Sequence, residues 1–362
     1  MRTVIVYDRV NKWGGAERVL LALHEIFPDA PLYTSVYDPI GAPWAKVFPE
    51  IKTSFLQKIP FARSNHEFLG TLMPLAFESF DFSEFDLVIS VTSEAAKGIR
   101  TKPGTLHICY CLTPTRYLWS HNDEYFKGRT FKAIAKPFVD KLQKWDKIAA
   151  RRPDKIIAIS SVVKNRIKKY YGQNSSIIFP PAELSINRLI DSNKKNYYLI
   201  VSRLVGYKKV DLAIRAFNKL KYPLYIVGSG SEESKLKRIA GNHIKFFGQV
   251  DDNKLRELYS GAKALIMPQE EDFGIAAVEA QSYGIPVIAY KKGGAIDTVI
   301  HEKTGFFFEN QTVESLEEAM RRFNSSDYKT IKTSDCIENA KRFSSERFKK
   351  ELLALINKYS MQ

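Results

Sequence analysis

Two glutamates in the second half of the chain stand eight residues apart, and the residues between them predict a loop that turns into a helix. The segment is EEDFGIAAVE, residues 270–279, and it follows an apolar run that ends at Met267. The spacing places Glu279 about two turns along the chain, on roughly the same side as Glu271. One carboxylate can then meet a sugar while the other accepts two ribose hydroxyls.

The first amides of this helix have no acceptor inside the helix, so they can donate to sugar oxygens. These amides belong to Phe273, Gly274 and Ile275. Glutamates at helical spacing are usually surface charge, but this helix is otherwise apolar, and a carboxylate buried there needs a purpose. The segment therefore indicates a binding site.

Two cations, Arg203 and Lys208, follow the first predicted strand of the second half, in the loop SRLVGYKK at 202–209. They leave the end of the strand together and precede a predicted helix at 211–220. Two positive charges in such a loop can neutralise a diphosphate, whose negative charge grows as it departs as a leaving group. The alternative is ordinary exposed loop charge, and the pattern alone leaves it open.

Glycine pairs follow two other predicted strands. Gly14-Gly15 lies in the segment WGGAE directly after the first strand, and Gly293-Gly294 follows a later one after Lys292. Glycines at a strand-to-helix turn expose backbone amides near a helix N-terminus, which suits a phosphate. The GxGxxG fingerprint is missing, and no suitable acidic residue ends the second strand, which argues against a dinucleotide-dependent oxidoreductase.

Short apolar runs alternate with helical stretches along the chain, which predicts parallel strands covered on both faces and an α/β fold class. In the first half the predicted strands are 3–7, 86–91, 106–111, 155–159 and 176–179. In the second half they are 198–201, 224–227, 244–247, 264–267, 287–290 and 305–308.

A double proline divides these strands into two sets. Pro180-Pro181 ends the preceding strand and stiffens the connection, and a polar stretch at 191–196 follows. A length of 362 residues also favours two domains. We expect one Rossmann-like domain at 1–181 and a second at 182–343, facing each other across a cleft at the strand ends.

A final helix is predicted at 344–362, and it carries an apolar stripe. The stripe consists of Phe348, Leu352, Leu355 and Ile356.

The formal net charge is +15, and it is concentrated in the stretch 127–155. Ten basic residues stand there against three aspartates: Lys127, Arg129, Lys132, Lys136, Lys141, Lys144, Lys147, Arg151, Arg152 and Lys155 against Asp140, Asp146 and Asp154. A solvated helix face and a patch that binds an anionic membrane surface both fit this pattern. No nucleic acid is expected, because neither an aromatic β platform nor a helix-turn-helix reader is evident.

The three cysteines, Cys109, Cys111 and Cys336, are too few for a secreted disulfide framework and are expected to be reduced core residues.

The chain starts with MRTVIVYD and goes straight into a strand, without the pattern of a signal peptide. No window approaches 18 unbroken apolar residues. We therefore expect a cytoplasmic protein, peripheral on the inner face of the membrane if the basic stretch binds lipid.

Taken together, these motifs resemble the GT-B family 4 glycosyltransferases over nearly the whole chain and in matching order. The resemblance extends to a subgroup, the WbaZ-like O-antigen mannosyltransferases. It is carried there by HICYCLTPTRYLW at 107–119, Trp145-Asp146, Lys169-Tyr170-Tyr171-Gly172 and Pro180-Pro181.

The resemblance implies a fold, an activity and a role for each motif. Arg203 and Lys208 would hold the donor diphosphate, Glu279 the ribose, and Glu271 with the following amides the transferred sugar. The Gly14-Gly15 loop would close on the phosphates or the acceptor, and the helix at 344–362 would pack back on the first domain. The family retains anomeric configuration and needs no metal or other cofactor. In its favoured mechanism, a front-face displacement, the leaving phosphate deprotonates the acceptor hydroxyl.

One departure concerns the donor sugar. Family members often have a histidine where this chain has Leu112. An apolar group there either fits a 6-deoxy sugar or leaves the contact of that histidine absent. Lys209 stands where glycine or arginine is usual in the family.

On the acceptor side, Tyr117 and Trp119 can stack on a sugar ring or belong to the core, and Arg116 can reach an acceptor phosphate. His107 is expected to be structural, within its strand.

The sequence thus predicts a hexosyltransferase that moves a sugar, mannose from GDP-mannose by resemblance, to a lipid-linked or oligosaccharide acceptor in cell-surface polysaccharide synthesis. A UDP-sugar or 6-deoxy-sugar transferase of the same fold is the alternative. A basic nucleic-acid- or membrane-binding protein without activity is the alternative of another class. An inactive sugar-nucleotide-binding subunit is disfavoured, because Arg203, Lys208, Glu271 and Glu279 are all present.

Overall fold

The computed structural model describes residues 1–60, 69–120, 129–184, 196–325 and 331–360, and only the backbone of 129–134. The chain divides into two units. One consists of Met1–Pro181 with Ser345–Gln362, and the other of Ala182–Ser344.

The first unit is built on a sheet of seven parallel strands in the order β3-β2-β1-β4-β5-β6-β7. The strands are β1 Thr3–Tyr7, β2 Leu32–Thr34, β3 Ile51–Thr53, β4 Leu87–Thr92, β5 Leu106–Cys111, β6 Lys155–Ala158 and β7 Ser176–Ile177. The two central strands, β1 and β4, are buried along their full length. This burial follows from a parallel sheet covered on both faces, and it explains their continuous apolar sequence.

Helices and short 3₁₀ turns connect these strands. The α-helices described in the first unit are Gly15–Ile26, Met73–Glu78, Arg116–Trp119, Arg129–Ala149, Ser161–Tyr171 and Ser345–Ser360. The 3₁₀ turns are Pro43–Val47, Phe55–Lys58 and Ala96–Gly98.

The second unit repeats the plan with six parallel strands in the order β10-β9-β8-β11-β12-β13. The strands are β8 Tyr197–Val201, β9 Leu224–Val227, β10 Ile244–Gly248, β11 Ala262–Met267, β12 Val287–Tyr290 and β13 Gly305–Phe308. Its helical segments are the 3₁₀ turn Gly206–Lys208 and the α-helices Val210–Leu220, Glu233–Ile239, Asp252–Gly261, Ile275–Ser282, Ala295–Thr298, Val313–Asn324 and Thr333–Lys341.

The predicted α/β fold with two Rossmann-like parallel-sheet domains is confirmed. Every strand predicted from an apolar run is present, with ends that shift by at most two residues. The sequence pattern missed β2 and β3, because three residues are too few to stand out as an apolar run. The strand predicted at 176–179 ends at Ile177, ahead of Pro180-Pro181.

The C-terminal helix Ser345–Ser360 belongs to the first unit. Three of its four predicted stripe residues, Phe348, Leu352 and Ile356, are buried, and Leu355 is half-buried. The Phe348 ring packs edge-on against Tyr110 of β5, with ring centres 5.7 Å apart.

Parts of two predicted segments fall outside the description. The polar stretch after the double proline is not described at 191–195, and Lys127 of the basic stretch is not described either. The same holds for the side chains of Arg129 and Lys132.

Candidate active site

Lys208 and Glu271 form an ion pair at the carboxyl edge of the second sheet. Lys208 lies in the loop after β8 and Glu271 in the loop after β11, and these strands are neighbours, so their loops meet at one edge. Lys208 Nζ contacts Glu271 Oε1, and Gln269 Nε2 donates to the same oxygen at 2.9 Å. The two side chains are only 11% and 18% exposed. The strand order reverses at β8, which is where such sheets bind ligands.

Arg203, the other predicted cation, lies in the loop after β8 and is exposed. Its guanidinium donates to the hydroxyl of Tyr207. The ring centre of Tyr207 lies 6.0 Å from Arg203 Cζ and 5.2 Å from Lys208 Nζ. Arg203 and Lys208 therefore both contact the side chain of Tyr207. The sequence motifs did not point to this tyrosine.

The Gly293-Gly294 turn after β12 packs directly against the loop that carries Glu271. The Gly294 amide donates to Glu271 O at 2.7 Å. Gly293 has a positive φ of 70°, and a Cβ there would lie 2.3 Å from Glu271 O. A Cβ on Gly294 would lie 2.4 Å from Phe273 Cα. Only glycines allow this approach, so the turn fixes the backbone position of Glu271.

The helix that follows this loop begins as predicted. Gly274 caps the helix Ile275–Ser282 with φ 89°, ψ 57°, a left-handed conformation that favours glycine. Phe273 is buried, and its ring centre lies 5.5 Å from that of Phe343. The buried ring of Phe273 anchors the chain between Glu271 and the helix. The first amides of the helix therefore lie beside Glu271.

Glu279 lies farther along the helix in a different environment. The side chain is buried, and Oε2 accepts a hydrogen bond of 2.9 Å from the Tyr259 hydroxyl. The Tyr259 ring stacks on Tyr283 with centres 5.3 Å apart. The carboxylate is thus oriented by a packed tyrosine, whereas Glu271 is oriented by a lysine.

In the first unit, Gly14 caps the helix Gly15–Ile26. The Glu17 carboxylate reaches back to the Gly14 amide and accepts a 3.1 Å hydrogen bond from the Tyr7 hydroxyl. This contact is one half of a capping box, since Gly14 has no side chain to bond the third amide of the helix in return. Burial raises the pKa of Glu17 above its ordinary value. One amide of the predicted phosphate loop is therefore engaged by Glu17, while a Cβ on Gly15 would meet nothing within 4 Å.

The predicted acceptor residues lie in the short helix Arg116–Trp119 after β5. Tyr117 donates to Glu94 Oε1 at 3.0 Å, and Trp119 Nε1 donates to Asp146 Oδ2 at 2.7 Å. The Trp119 ring also stacks on Tyr170, with centres 5.3 Å apart. Burial and the Glu94 carboxylate raise the pKa of Tyr117 well above its ordinary value. Arg116 is half-buried at the first turn.

This helix is held by a network of buried charges, of which only Asp146, in the Trp145-Asp146 motif, was recognised from the sequence. Lys97 pairs with Asp146 at 2.5 Å, and Arg9 pairs with Glu94 at 2.9 Å. Asp8 accepts from the backbone amides of 93, 95 and 96 at 2.6, 2.9 and 2.8 Å. Burial raises the pKa of Glu94 above its ordinary value. The sequence gives no periodic signal for this network, because its members come from separate strand ends and helices.

His107 and the cysteines are structural, as predicted. The His107 ring is fully buried in β5, and its Nε2 lies 2.8 Å from Ser90 Oγ. Burial and the Arg152 charge lower the pKa of His107 to about 3. Cys109, Cys111 and Cys336 are all buried and free. Burial raises the pKa of Cys109 to about 12.

The basic stretch presents a mixed surface on the helix Arg129–Ala149. Among side chains described there, Lys136, Lys141, Lys144 and Lys147 are exposed. Phe138 and Ile148 of the same helix are each 58% exposed. Within the described part of the chain, no helix, this one included, is long and apolar enough to cross a membrane. The described residues also contain no group of three or more His, Cys, Asp or Glu side chains arranged to hold a metal ion.

Residues 183–343, nearly the whole of the second unit, match the family Glycosyl transferases group 1. The similarity to this family concerns that segment of the chain. The ion pair, the glycine turn and the capped helix described above for the second unit all lie within it.

Curated relatives match at low identity. An uncharacterized glycosyltransferase of Methanocaldococcus jannaschii is 26% identical over 207 residues, covering 56% of this chain and 58% of that protein. The GDP-mannose-dependent alpha-(1-6)-phosphatidylinositol monomannoside mannosyltransferase of Mycobacterium tuberculosis is 27% identical over 198 residues, 46% of this chain and 51% of that protein. The chain spans little more than half the length of these relatives.

A solved structure matches the chain over its whole length. Anabaena HepE in complex with UDP has a TM-score of 0.74 at 17% identity, covering 99% of this chain and 100% of that chain. At this identity the likeness concerns the fold, and it agrees with the GT-B architecture predicted from the sequence.

Proposed function

We propose that this protein is a retaining glycosyltransferase that transfers a hexose from a nucleotide-diphosphate sugar to a lipid-linked or oligosaccharide acceptor. The observation that carries the proposal is the contact between Lys208 and Glu271. A cation suited to a diphosphate and a carboxylate suited to a sugar lie together where the strand order of the second sheet reverses. The match of 183–343 to glycosyltransferases group 1 supports it.

In this proposal, the second unit binds the donor. Arg203 and Lys208 neutralise the diphosphate, and Glu279, held by Tyr259, accepts the ribose hydroxyls. Glu271 and the amides of Phe273, Gly274 and Ile275 bind the transferred sugar. Ligand binding changes the partner of Lys208 from Glu271 alone to the diphosphate and Glu271 together, which keeps the buried charges compensated.

The reaction breaks the bond between the anomeric carbon and the diphosphate oxygen and forms a bond from that carbon to an acceptor hydroxyl. The departing phosphate oxygen takes the proton of the hydroxyl on the same face of the sugar, so configuration is retained. Arg203 and Lys208 stabilise the negative charge that grows on the leaving group. No protein residue has to act as general base in this scheme, which is the mechanism implied by the family resemblance.

The first unit, residues 1–181 with the C-terminal helix, binds the acceptor in this proposal. Arg116 contacts an acceptor phosphate, and the Gly14-Gly15 loop borders the phosphates or the acceptor. The Tyr117 hydroxyl and Trp119 Nε1 already donate to Glu94 and Asp146, so these residues contact the acceptor without donating a hydrogen bond to it.

The donor we favour is GDP-mannose, as in the WbaZ-like O-antigen mannosyltransferases, with a role in cell-surface polysaccharide synthesis. The relative from Mycobacterium tuberculosis is named for the same donor, which supports this choice. A UDP-sugar is the second candidate, because HepE, which shares the fold, has been crystallised with UDP. A 6-deoxy-sugar donor is a third candidate, because the apolar Leu112 stands where family members often have a histidine and would fit a sugar without a 6-hydroxyl.

We further propose that the protein works in the cytoplasm and binds the inner face of the membrane through 127–155. The support is the combination of exposed lysines with exposed Phe138 and Ile148 on one helix. Lysines attract anionic headgroups, and apolar side chains enter the boundary below them.

The donor proposal is tested by thermal denaturation with GDP, UDP, ADP and their common sugar conjugates. A nucleotide that binds only the folded state raises the melting temperature by mass action. We expect one base to stabilise the protein, and Arg203→Ala and Glu279→Ala to weaken the effect. Arg238→Ala, which removes an exposed arginine of the same unit, is the matched control. If none of these nucleotides stabilises the protein, the proposal is wrong.

A further inference from the structure

Tyr207 stands between the two cations proposed to bind the donor diphosphate, and it contacts both. Its hydroxyl accepts a hydrogen bond from Arg203. Its ring centre lies 5.2 Å from Lys208 Nζ and 6.0 Å from Arg203 Cζ, within the range of cation–π contacts. The Tyr207 side chain therefore contacts both positive charges and restricts the position of each.

The backbone at Tyr207 is itself constrained. Tyr207 is the middle residue of the 3₁₀ turn Gly206–Lys208, in which the Lys208 amide donates to Val205 O at 3.0 Å. Lys209 follows with a positive φ of 52° and caps the helix Val210–Leu220. A short turn locked between a strand and a helix gives the tyrosine ring little freedom to move away from the cations.

The two cations differ in how their charge is balanced. Lys208 is neutralised by Glu271, and both side chains are largely buried. Arg203 is exposed and bonded to a neutral oxygen, and no ion pair to it is found within the described residues. Arginine and lysine each lose about 2 kcal/mol of rotamer entropy when fixed, so an unsupported Arg203 would be poorly ordered. The hydroxyl of Tyr207 supplies that support before any ligand arrives.

We propose that Tyr207 is a positioning residue that spaces the Arg203 and Lys208 charges to match the two phosphates of a nucleoside diphosphate. The inference rests on the proposed donor site. A diphosphate engages both cations, whereas a monophosphate engages one, so the spacing matters only for the diphosphate. Tyr207 thereby makes the site selective for diphosphates over monophosphates.

The test compares the dissociation constants of GDP and GMP, and of UDP and UMP, by titration calorimetry. Tyr207→Phe keeps the ring beside Lys208 and removes the oxygen that orients Arg203. We expect it to weaken binding of the preferred diphosphate about three- to tenfold and to change monophosphate binding by less than about twofold. Tyr207→Leu, which also removes the ring, weakens diphosphate binding further.

Two controls separate positioning from a general structural effect. Tyr222→Phe removes the hydroxyl of another half-buried tyrosine in the same unit and leaves both constants unchanged. In an Arg203→Ala background, Tyr207→Phe has little further effect if the tyrosine acts through the arginine. Equal weakening of diphosphate and monophosphate, or full additivity with Arg203→Ala, overturns the inference. Failure of the wild type to bind any diphosphate instead overturns the proposed function on which it rests.

Discussion

Lys97 and Asp146 form an ion pair in the first unit with their charged atoms 2.5 Å apart, and their side chains are only 2% and 1% exposed. Asp146 also accepts from Trp119, Tyr171 and Thr115, at 2.7, 2.8 and 3.3 Å. Burial alone would lower the pKa of Lys97, but the Asp146 carboxylate outweighs it and the pKa is raised. The pair ties the turn Ala96–Gly98 after β4 to the helix Arg129–Ala149, and Asp146 in turn holds Trp119 of the proposed acceptor residues.

Removing either partner should strongly destabilise the protein. Lys97→Met or Asp146→Asn leaves one buried charge without its counterion, which typically costs about 3–5 kcal/mol. Chemical denaturation measures the loss. Lys136→Met, which breaks an exposed pair with Asp140, is the control and should cost less than about 1 kcal/mol.

The double variant Lys97→Met/Asp146→Asn combines the two single changes and tests whether the pair acts as a unit. It leaves no unpaired charge, so its cost should be smaller than the sum of the two single changes. If the two costs simply add, the pair is not an energetic unit.

Gly293→Ala should disturb the proposed donor site, whereas Gly104→Ala should not. Both glycines have positive φ, 70° and 89°, so an alanine at either costs about 1 kcal/mol for the left-handed conformation alone. At Gly293 the new Cβ would also lie 2.3 Å from Glu271 O, while at Gly104 it would meet nothing within 4 Å. The Glu271 loop must therefore move only in Gly293→Ala.

Thermal denaturation with and without the stabilising nucleotide checks this difference. Gly293→Ala should lose most of the nucleotide-dependent increase in melting temperature, and Gly104→Ala should keep it. An unchanged increase in Gly293→Ala would mean that the position of the Glu271 loop does not matter for binding.

The sequence predicted the fold well because the deciding signals were local. Buried parallel strands such as Leu106–Cys111 are continuous apolar runs, and glycines such as Gly274 mark left-handed turns that few other residues adopt. Strands of three residues, such as Leu32–Thr34, carry too little pattern to be recognised.

The candidate site could be predicted only in part, because its contacts join distant segments. Arg203, Lys208 and Glu271 were recognised as strand-end residues, but the direct contact of Lys208 with Glu271 depends on the order of β8 and β11 in the sheet. The partner of Glu279 is Tyr259, a residue with no motif around it. The partners of Tyr117 and Trp119 are carboxylates at 94 and 146, and no spacing rule relates those positions.

His107 should make stability fall as the solution is acidified. Its pKa is lowered to about 3 in the folded state by burial, against about 6.5 when unfolded, so the unfolded chain binds the extra proton between these values. The free energy of unfolding therefore keeps the contribution of His107 above pH 6.5 and loses it progressively as the pH falls toward 3. The slope is about 1.4 kcal/mol per pH unit within that window.

Comparing the free energy of unfolding of the wild type and His107→Gln between pH 4.5 and 7.5 (roughly the upper part of that window) isolates this contribution. Within the window, the free energy of unfolding of His107→Gln should depend on pH less steeply than that of the wild type, by about 1.4 kcal/mol per pH unit. Ser90→Ala removes the hydrogen bond to the ring but keeps the buried imidazole, so it should lower stability without changing the slope. Equal slopes in wild type and His107→Gln would contradict the prediction.

The basic helix offers a test of the proposed membrane contact that does not depend on catalysis. Replacing Lys136, Lys141 and Lys144 with Glu changes each charge by two and lowers the net charge from +15 to +9. The same change at Lys235, Lys237 and Lys254, exposed lysines of the second unit, gives a control of equal net charge. In flotation with phosphatidylserine-containing vesicles, the first variant should lose binding and the control should keep it, because a local patch attracts headgroups within about one Debye length. Equal loss in both variants would mean that net charge alone drives binding, and unchanged flotation of the first variant would exclude the helix as the contact surface.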